Sequence, residues 1–322
     1  MGILRFIIRR LIFMVVLVIG VSILIFFMIN AVGNPIDILL AERPGISPEV
    51  IESVKRYYHM DRSLTEQYLT WLGNVARLDF GTSVIYSQPI GGMLVTWGWE
   101  TIKIQVSAIL ISLMLAVFIG VTAATRQYSR TDFGIMTTAL LGRSVPGFFL
   151  GILLILVFSY WLGIFPSYGA YSTRGLFMNS AWLDSLWHMV LPVAMLTYFN
   201  TATLTLLIRS NMVDVLRQDF IMAARASGLR TRHVVYHHAL KNAFIPTLTY
   251  LAILFGLMLG TAPVTETVFT WPGLGYLYIT AIVQLDFPVI MSENLIITMM
   301  LVVANLLTDV AYVFIDPRIR LE

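Results

Sequence analysis

The chain of 322 residues has little charge and no cysteine. Charged residues make up 12% of it, against about 25% in an ordinary soluble domain, and hydrophobic residues make up 58%. A soluble fold would expose most of this apolar surface and associate, whereas a disordered chain is polar and highly charged. The lack of cysteine excludes a disulfide framework, a thiolate metal site and a catalytic thiol. The composition therefore favours an integral membrane protein.

Long stretches without Asp, Glu, Lys or Arg mark the predicted membrane spans. A helix needs about 20 apolar residues to cross roughly 30 Å of hydrocarbon. Five stretches meet this length, and a sixth is interrupted by Glu293 and Asp309: 11–36, 104–125, 144–173, 185–208, 242–265 and about 288–315. The sequence thus predicts an all-α membrane protein with six transmembrane helices.

One further uncharged run, 267–285, is not counted among the spans. It contains Pro272, Gly273 and Gly275, and these residue types break a helix. We interpret this run as a re-entrant or surface segment.

Basic residues are distributed unevenly between the two sides of this topology. With the N-terminus inside, the inner segments hold 13 basic residues and the outer segments hold six. The positive-inside rule then places both termini in the cytoplasm of a multi-pass protein of the cell membrane. Since the net charge is only +3, the basic residues are attributed to topology, and no nucleic-acid partner is expected.

The predicted spans divide the chain into three parts. Residues 1–36 form the N-terminal tail and first span, 37–102 an extracytoplasmic loop region, and 103–322 the core, which contains the cytoplasmic loop 209–242. Ser47, before Pro48 and Glu49, is typical of a helix N-terminus, so a helix is expected over about 48–78. A loop of about 65 residues is long enough for a small helical cap.

The cytoplasmic loop 209–242 has the pattern of two helices joined by a glycine turn. Good helix formers extend from about Met212 to Ala226, and Gly228 suits the left-handed end of such a helix. Thr231 is predicted to cap a second helix, which enters the membrane near Pro246.

The first of these helices offers a surface of small side chains, Ala223, Ala224 and Ala226, with basic residues around it. Two interpretations remain open on this pattern. The loop is either a solvated connector whose arginines follow the positive-inside rule, or a docking element for a cytoplasmic partner.

The same loop resembles that of a known family. Met222-Ala223-Ala224, followed by Gly228 and Pro246, is similar to the Glu-Ala-Ala…Gly loop of importer permeases of the ATP-binding cassette (ABC) class. Met222 replaces the glutamate, and Lys241 stands where many of these loops have a first proline. Five further segments in matching order extend the resemblance, over the whole chain, to the dipeptide/oligopeptide permease B-type subunit: 4–11, 78–84, 144–151, 265–275 and 316–320.

This resemblance implies a type I importer permease that moves oligopeptides or dipeptides inward. It implies three kinds of partner: a second, homologous permease, two ATPase subunits and an extracytoplasmic solute-binding protein. The region 219–232 would be the coupling helix that sits on the ATPase. The residues that the resemblance assigns to coupling are Asp219, Met222, Ala223, Ala224, Arg225, Gly228, Arg230 and Pro246. Import of oligosaccharides or nickel by the same machine stays open.

The chain itself is expected to be a transport subunit and not an enzyme. It has no Gly-x-x-x-x-Gly-Lys-Ser/Thr segment, so ATP and Mg²⁺ would be used by the partner subunits and no cofactor would be bound here. No catalytic residues are predicted, and His233, His237 and His238 lack the carboxylates or thiolates of a metal site. A self-sufficient secondary transporter is less favoured because no internal repeat is found.

Charged residues within or near the spans lead to the last expectations. Arg143 either pairs with Asp309 or extends its charged end to the membrane surface, or it lines the translocation path and contacts a carboxylate. Glu266 and Glu293 are expected near the outer surface in contact with solvent. His188 is expected at the membrane interface.

Overall fold

The computed structural model describes residues 2–32, 62–172, 180–258, 260 and 262–315. Within these ranges the chain is helical, and the one extended pairing is an isolated bridge between Thr82 and Pro89. The helices are α1 Gly2–Val32, α2 Leu64–Val75, α3 Ile90–Thr125, α4 Arg130–Ser144, α5 Gly147–Trp161, α6 Ala181–Leu216, α7 Asp219–Ala226, α8 Thr231–Ala243, α9 Ile245–Leu257, α10 Pro263–Val268, α11 Leu274–Val283 and α12 Phe287–Ile315. Two π-helical stretches, Ile155–Trp161 and Val234–Ala239, lie in α5 and α8.

The predicted all-α membrane architecture is confirmed. Three helices are each long and apolar enough to cross a membrane: Ile8–Ala31 within α1, α3 and α6. Two bent pairs, α4 with α5 and α8 with α9, raise this number to five among the described residues. Helix α12, apolar over Phe287–Val303, lies at the position of the sixth predicted span. The count of six spans stays a prediction, and the predicted helix start at Ser47 lies outside the described residues.

Helices α3 and α6 extend beyond the charge-free stretches that predicted them. α3 begins at Ile90, and within it Lys103 forms an ion pair of 2.7 Å with Glu100 one turn earlier. α6 begins at Ala181, and its Asp184 accepts a hydrogen bond of 2.9 Å from the Ser172 hydroxyl. A helix tolerates charges that are paired locally, so the charge-free criterion made both helices too short.

The predicted spans 144–173 and 242–265 are not continuous helices. At Val145–Pro146 the axis turns by 97° between α4 and α5, and α5 ends at Trp161. Near Phe244 and Pro246 it turns by 50°, and α9 ends at Leu257. Proline explains both bends, because it lacks the N–H that a helix needs and disfavours helical backbone in the preceding residue.

Buried side chains collect at the two ends of the helix bundle. At one end, called the α7 end here, residues late in α3 and α6 pack with α7 and α8: Val121, Ala124, Met212, Val215, Ile221, Val234 and Ala239. At the other, the α11 end, the start of α3 packs with α11 and α12: Ile90, Met93, Leu274, Leu277 and Val289. Ile104 contacts Met189, and Gly120 faces Ile208, so α3 and α6 run in parallel between the two ends.

A bidentate ion pair fixes the α7 end. Arg209 of α6 donates from Nε and Nη2 to the Asp132 carboxylate of α4, at 3.0 and 2.7 Å. The backbone N–H of Tyr128 donates to the same carboxylate at 2.9 Å, and Ser129 caps α4. The turn between α3 and α4 and the end of α6 are thereby joined by charge-assisted hydrogen bonds.

The α11 end is built around the carboxylate of Glu266, which was predicted to contact solvent. Glu266 and Glu293 are both fully buried, so their predicted contact with solvent is wrong. The Glu266 carboxylate accepts from the Thr101 hydroxyl at 2.7 Å and from the Tyr276 N–H at 3.0 Å. It therefore satisfies a backbone donor at the start of α11, which a buried helix end requires.

Residues 269–273, at the start of the run predicted as a re-entrant or surface segment, form a buried turn between α10 and α11 and not a surface loop. Trp271 is fully buried, and its indole N–H donates to the Glu100 carbonyl oxygen at 3.0 Å. A side chain at Gly273 would overlap the Glu266 carboxylate, so the carboxylate would have to leave its hydrogen bonds with Thr101 and Tyr276. His188, expected at the interface, is also buried and bonds the Asp184 carbonyl oxygen through Nδ1 at 2.8 Å.

Replacing Asp132 by alanine should lower the free energy of unfolding by about 3 kcal/mol, because the Arg209 charge loses its carboxylate. A loss of about 3 kcal/mol is at the lower end of the range for breaking a buried ion pair, because 19% of the Arg209 side chain is exposed. Denaturant unfolding in detergent micelles measures the change. The control is Asp214→Ala, at an exposed position on α6, which should stay within about 0.5 kcal/mol of the native chain. If both variants lost the same free energy of unfolding, the stabilising role of the ion pair would be contradicted.

Candidate functional site

Helix α7 is attached to the bundle through one side of its surface. Ile221 is fully buried among residues of α6 and α8, including Met212, Val234 and Ala239. Ala224, three residues later and on the same side, is half-buried and packs against the same cluster. The surface on which α7 packs is therefore apolar, and the end of α6 contributes to it.

The opposite side of α7 is exposed. Phe220 and Met222 are 40% and 55% exposed, and Ala223 and Ala226 are exposed as well. Of the three alanines predicted to form a small-residue surface, Ala223 and Ala226 therefore face outward, whereas Ala224 lies partly inward.

A glycine turn ends α7. Gly228 has φ +81°, in the left-handed region that side chains disfavour. Its N–H donates to the Arg225 carbonyl oxygen at 3.1 Å, and the Ser227 N–H donates to that of Ala223 at 3.0 Å. No atom of the described residues lies within 4 Å of the place where a Cβ would stand, so the backbone angle is the reason for glycine here. The prediction of a left-handed glycine at this position is confirmed.

Helix α8 begins directly after this turn. Thr231 is its first residue and Arg230 holds the N-cap position without a side-chain cap, so the predicted capping by Thr231 is wrong. Five residues line an open cavity of about 390 Å³: Arg230, Arg232, His233, Tyr236 and His237. Among the described residues no group of three or more His, Cys, Asp or Glu is arranged to hold a metal ion.

These elements form one surface at the α7 end, made of residues 219–232 and called the docking surface below. Asp219 lies in the first turn of α7 and Arg225 in its last, as the helix dipole favours. Exposed apolar side chains at Phe220, Met222 and Leu229 lie among the exposed Arg225 and Arg230. An apolar centre with a basic rim fits a protein partner that has an apolar depression and an acidic rim.

The remaining predicted residues lie away from this surface. Pro246 is exposed in the first turn of α9, beyond the 50° bend, and ends the α8 segment without joining the docking surface. Arg143 is exposed in the last turn of α4. The Asp309 side chain lies outside the described residues, so its pairing with Arg143 stays a prediction.

Sequence reasoning missed the apolar part of the docking surface. Phe220 and Leu229 are 40% and 41% exposed, although the loop was described by its alanines and arginines. Large apolar residues interspersed in a basic, polar loop were the available signal, since exposed apolar patches mark interaction sites.

The fold and this surface together define a helical membrane protein with an exposed basic and apolar surface at one end of its bundle. Family comparison agrees with this class. The model of the binding-protein-dependent transport system inner membrane component matches residues 116–321, and that of the N-terminal part of such membrane components matches 3–92. The chain belongs to this family of inner-membrane transport components.

Similar proteins extend over almost the whole chain. The oligopeptide transport system permease protein AppB of Bacillus subtilis is 36% identical over 317 residues, which cover 98% of this chain and 99% of AppB. The di/tripeptide transport system permease protein DppB of Pseudomonas aeruginosa is 33% identical over 333 residues, with the same coverage. A putative peptide permease protein of Brucella ovis is 33% identical over 319 residues.

Replacing Gly228 by alanine should destabilise the turn by about 1–2 kcal/mol, the cost of a left-handed backbone with a side chain. Trypsin should then cut the detergent-solubilised chain faster at Arg225 and Arg230. The matched control is Gly73→Ala in α2, which also has no neighbour within 4 Å but has no positive φ. Cleavage of Gly228→Ala at the native rate would contradict the requirement for this backbone angle.

Proposed function

We propose that this chain is the transmembrane permease subunit of an ABC importer and forms half of the translocation path for oligopeptides or dipeptides. The family supplies the transport role, and the named relatives are peptide permeases. These names favour peptides over the oligosaccharides and nickel that the sequence left open. A solute-binding protein would deliver the peptide, and a homologous second permease would complete the path.

The observation that carries this proposal is the docking surface. The chain has no phosphate-binding loop of its own, so the energy of ATP hydrolysis has to enter through contact with another subunit. Two ATPase subunits that use ATP and Mg²⁺ would provide it, and this chain would bind no cofactor. The exposed side of α7 offers the contact, and its buried side transmits movement to the bundle.

The packing of Ile221 provides the route for that movement. A displaced α7 carries the apolar cluster that it shares with α6 and α8. Because α3 and α6 run in parallel from this cluster to the α11 end, a shift of the docking surface moves both helices as bodies. Packed helices respond to such a shift by moving between discrete arrangements, as alternating access requires.

The orientation is proposed from charge. The docking surface holds Arg225, Arg230 and Arg232, so the α7 end is cytoplasmic by the positive-inside rule. Both termini would then lie in the cytoplasm, and the α11 end would face the solute-binding protein.

An added carboxylate on the exposed side of α7 should uncouple the ATPases. Ala223→Asp places a charge against an apolar partner surface. An unpaired buried charge should weaken the binding free energy by about 3 kcal/mol or more. The ATPases should no longer co-purify, and peptide-stimulated ATP hydrolysis should fall at least tenfold, while the two permeases stay paired. Ala223 is chosen because it is exposed, whereas Ala224 also packs inward.

The matched control for this variant is Ala76→Asp, at an exposed alanine that ends α2, away from the docking surface. It should retain the ATPases and uptake. Normal ATPase retention and uptake in Ala223→Asp would mean that the loop is only a connector.

Orientation is tested by protease access in sealed, right-side-out cells or spheroplasts. Trypsin added outside should cut within 37–102 and spare 209–242, because the second segment lies inside. Trypsin added to inverted vesicles should show the reverse. Cutting at Arg217 or Arg225 from outside would overturn the proposed orientation.

A further inference from the structure

Beyond the turn at Gly228, basic and aromatic side chains surround an open cavity. The cavity has a volume of about 390 Å³ and lies beside the first turns of α8. Its lining residues are Arg230, Arg232, His233, Tyr236 and His237. Two pairs of them stand four positions apart, 232 with 236 and 233 with 237, so their side chains lie on one side of the helix. One short segment therefore gathers all five side chains around a single space.

The opposite side of α8 is fixed in the bundle. Val234, Val235 and Ala239 are buried in the apolar cluster that also holds Ile221. The cavity side is consequently turned outward, and 46% of Tyr236 is exposed. The lining side chains thus stand on an anchored helix and are accessible to a ligand.

The two arginines of the cavity have no acidic partner among the described residues, whereas Arg209 is held by Asp132. Residues 220–265 contain no Asp or Glu, so the segment itself cannot supply a carboxylate. Like charges around one space repel each other, and a bound counter-ion lowers this cost. The cavity therefore favours an anion that comes from outside the chain.

Histidine rings add hydrogen-bond donors to the same wall. The rings of His233 and His237 are stacked, with centres 4.8 Å apart and an angle of 22° between their planes. The ring of His238 meets both of them edge-on, at 5.3 and 5.4 Å. This arrangement holds two imidazoles at the cavity, and each of them can donate an N–H, as the Tyr236 hydroxyl can donate its proton. A wall rich in donors suits a ligand with several acceptor oxygens.

The donor set distinguishes between two classes of anion. A carboxylate has two oxygens and one negative charge, and a single arginine satisfies it through a bidentate pair. A phosphoryl group has up to about two negative charges and three acceptor oxygens, so two arginines with further donors suit it better. The cavity volume of about 390 Å³ lies within the range of small-molecule sites, about 300–1,000 Å³, and leaves room for the molecule that carries the phosphoryl group.

We propose that this cavity binds a phosphoryl group, carried either by a free solute or by the headgroup of an anionic phospholipid. Arg230 and Arg232 pair with its oxygens, and His233, Tyr236 and His237 donate further hydrogen bonds. This site goes beyond the transport role proposed above, although Arg230 also belongs to the docking surface. A bound phosphoryl group therefore lowers the positive charge that the docking surface offers to a partner.

Binding is tested on the full-length chain in an uncharged detergent, by equilibrium dialysis with radioactive inorganic phosphate. The native chain should bind phosphate saturably. The double variant Arg230→Gln with Arg232→Gln should bind it about tenfold more weakly or worse, because two charged hydrogen-bond donors are lost. Both arginines are exposed, so their replacement should leave the fold intact, and gel filtration checks this.

The matched control is Arg130→Gln, at an exposed arginine of the α7 end that does not line the cavity. It should bind phosphate like the native chain. If Arg130→Gln weakened binding as much as the double variant does, general basic charge would explain the attraction and the proposal would be overturned.

Two further measurements test the class of anion. Acetate should displace radioactive phosphate about tenfold less well than unlabelled phosphate does, because it offers fewer oxygens and less charge. Arg232→Lys should weaken binding although it keeps the charge, because lysine lacks the planar fork of arginine. Equal displacement by acetate, or native affinity in Arg232→Lys, would contradict the assignment to a phosphoryl group.

The source of the phosphoryl group is distinguished in nanodiscs of phosphatidylcholine with and without phosphatidylglycerol. If a lipid headgroup occupies the cavity, phosphatidylglycerol should reduce phosphate binding, and native mass spectrometry should find this lipid on the native chain but not on the double variant. If a free solute occupies it, phosphate should bind equally in both nanodiscs. Either result supports a phosphoryl site.

An acidic protein partner in place of a phosphoryl group gives a different result. The double variant would then bind phosphate as the native chain does but would no longer co-purify with the ATPases, and the proposal would be overturned. The absence of both saturable phosphate binding and retained lipid in the native chain would overturn it as well. Because phosphate binding is measured on the chain alone, these outcomes are separate from a failure of the proposed transport function.

Discussion

The packing of helices at the α7 end of the bundle depends on the bidentate ion pair between Arg209 and Asp132. It joins α6 to the start of α4, and the apolar cluster that seats α7 includes residues of α6 one turn beyond Arg209. Because Asp132 is buried and Arg209 is mostly buried, little water reaches the two charges, and each depends on the other. The docking surface has a fixed position because this attachment below it is fixed.

The sequence located most helices but misjudged charges that are paired over long distances. Charge-free stretches found the centres of α3 and α6, and the glycine signal found the turn at Gly228. Glu266 was placed in solvent because its partner Thr101 lies 165 positions earlier, beyond the reach of a local count. The bend at Pro146 could be predicted because proline breaks a helix, whereas the angle of the bend depends on how α5 packs. The exposure of Phe220 could be seen only in the packed structure.

Helix α6 contacts both ends of the bundle. Its end packs in the same apolar cluster as α7, its middle packs against α3, and its start approaches Lys103 through Ser185. Pro192 lies inside it, yet the helix continues from Ala181 to Leu216. One continuous helix thus connects the α7 end of the bundle with the α11 end.

The contact between Glu266 and Gly273 has a consequence for how the family evolves. The carboxylate fills the space that any side chain at Gly273 would need, and it holds the hydroxyl of Thr101, which in turn accepts from the Leu274 N–H at 2.8 Å. A larger residue at position 273 requires the acid to move away, to be shortened or to be lost, and then the helix start and the threonine lose their partner. Substitutions at these positions should therefore appear together across related sequences, as a compensated set and not as independent drift.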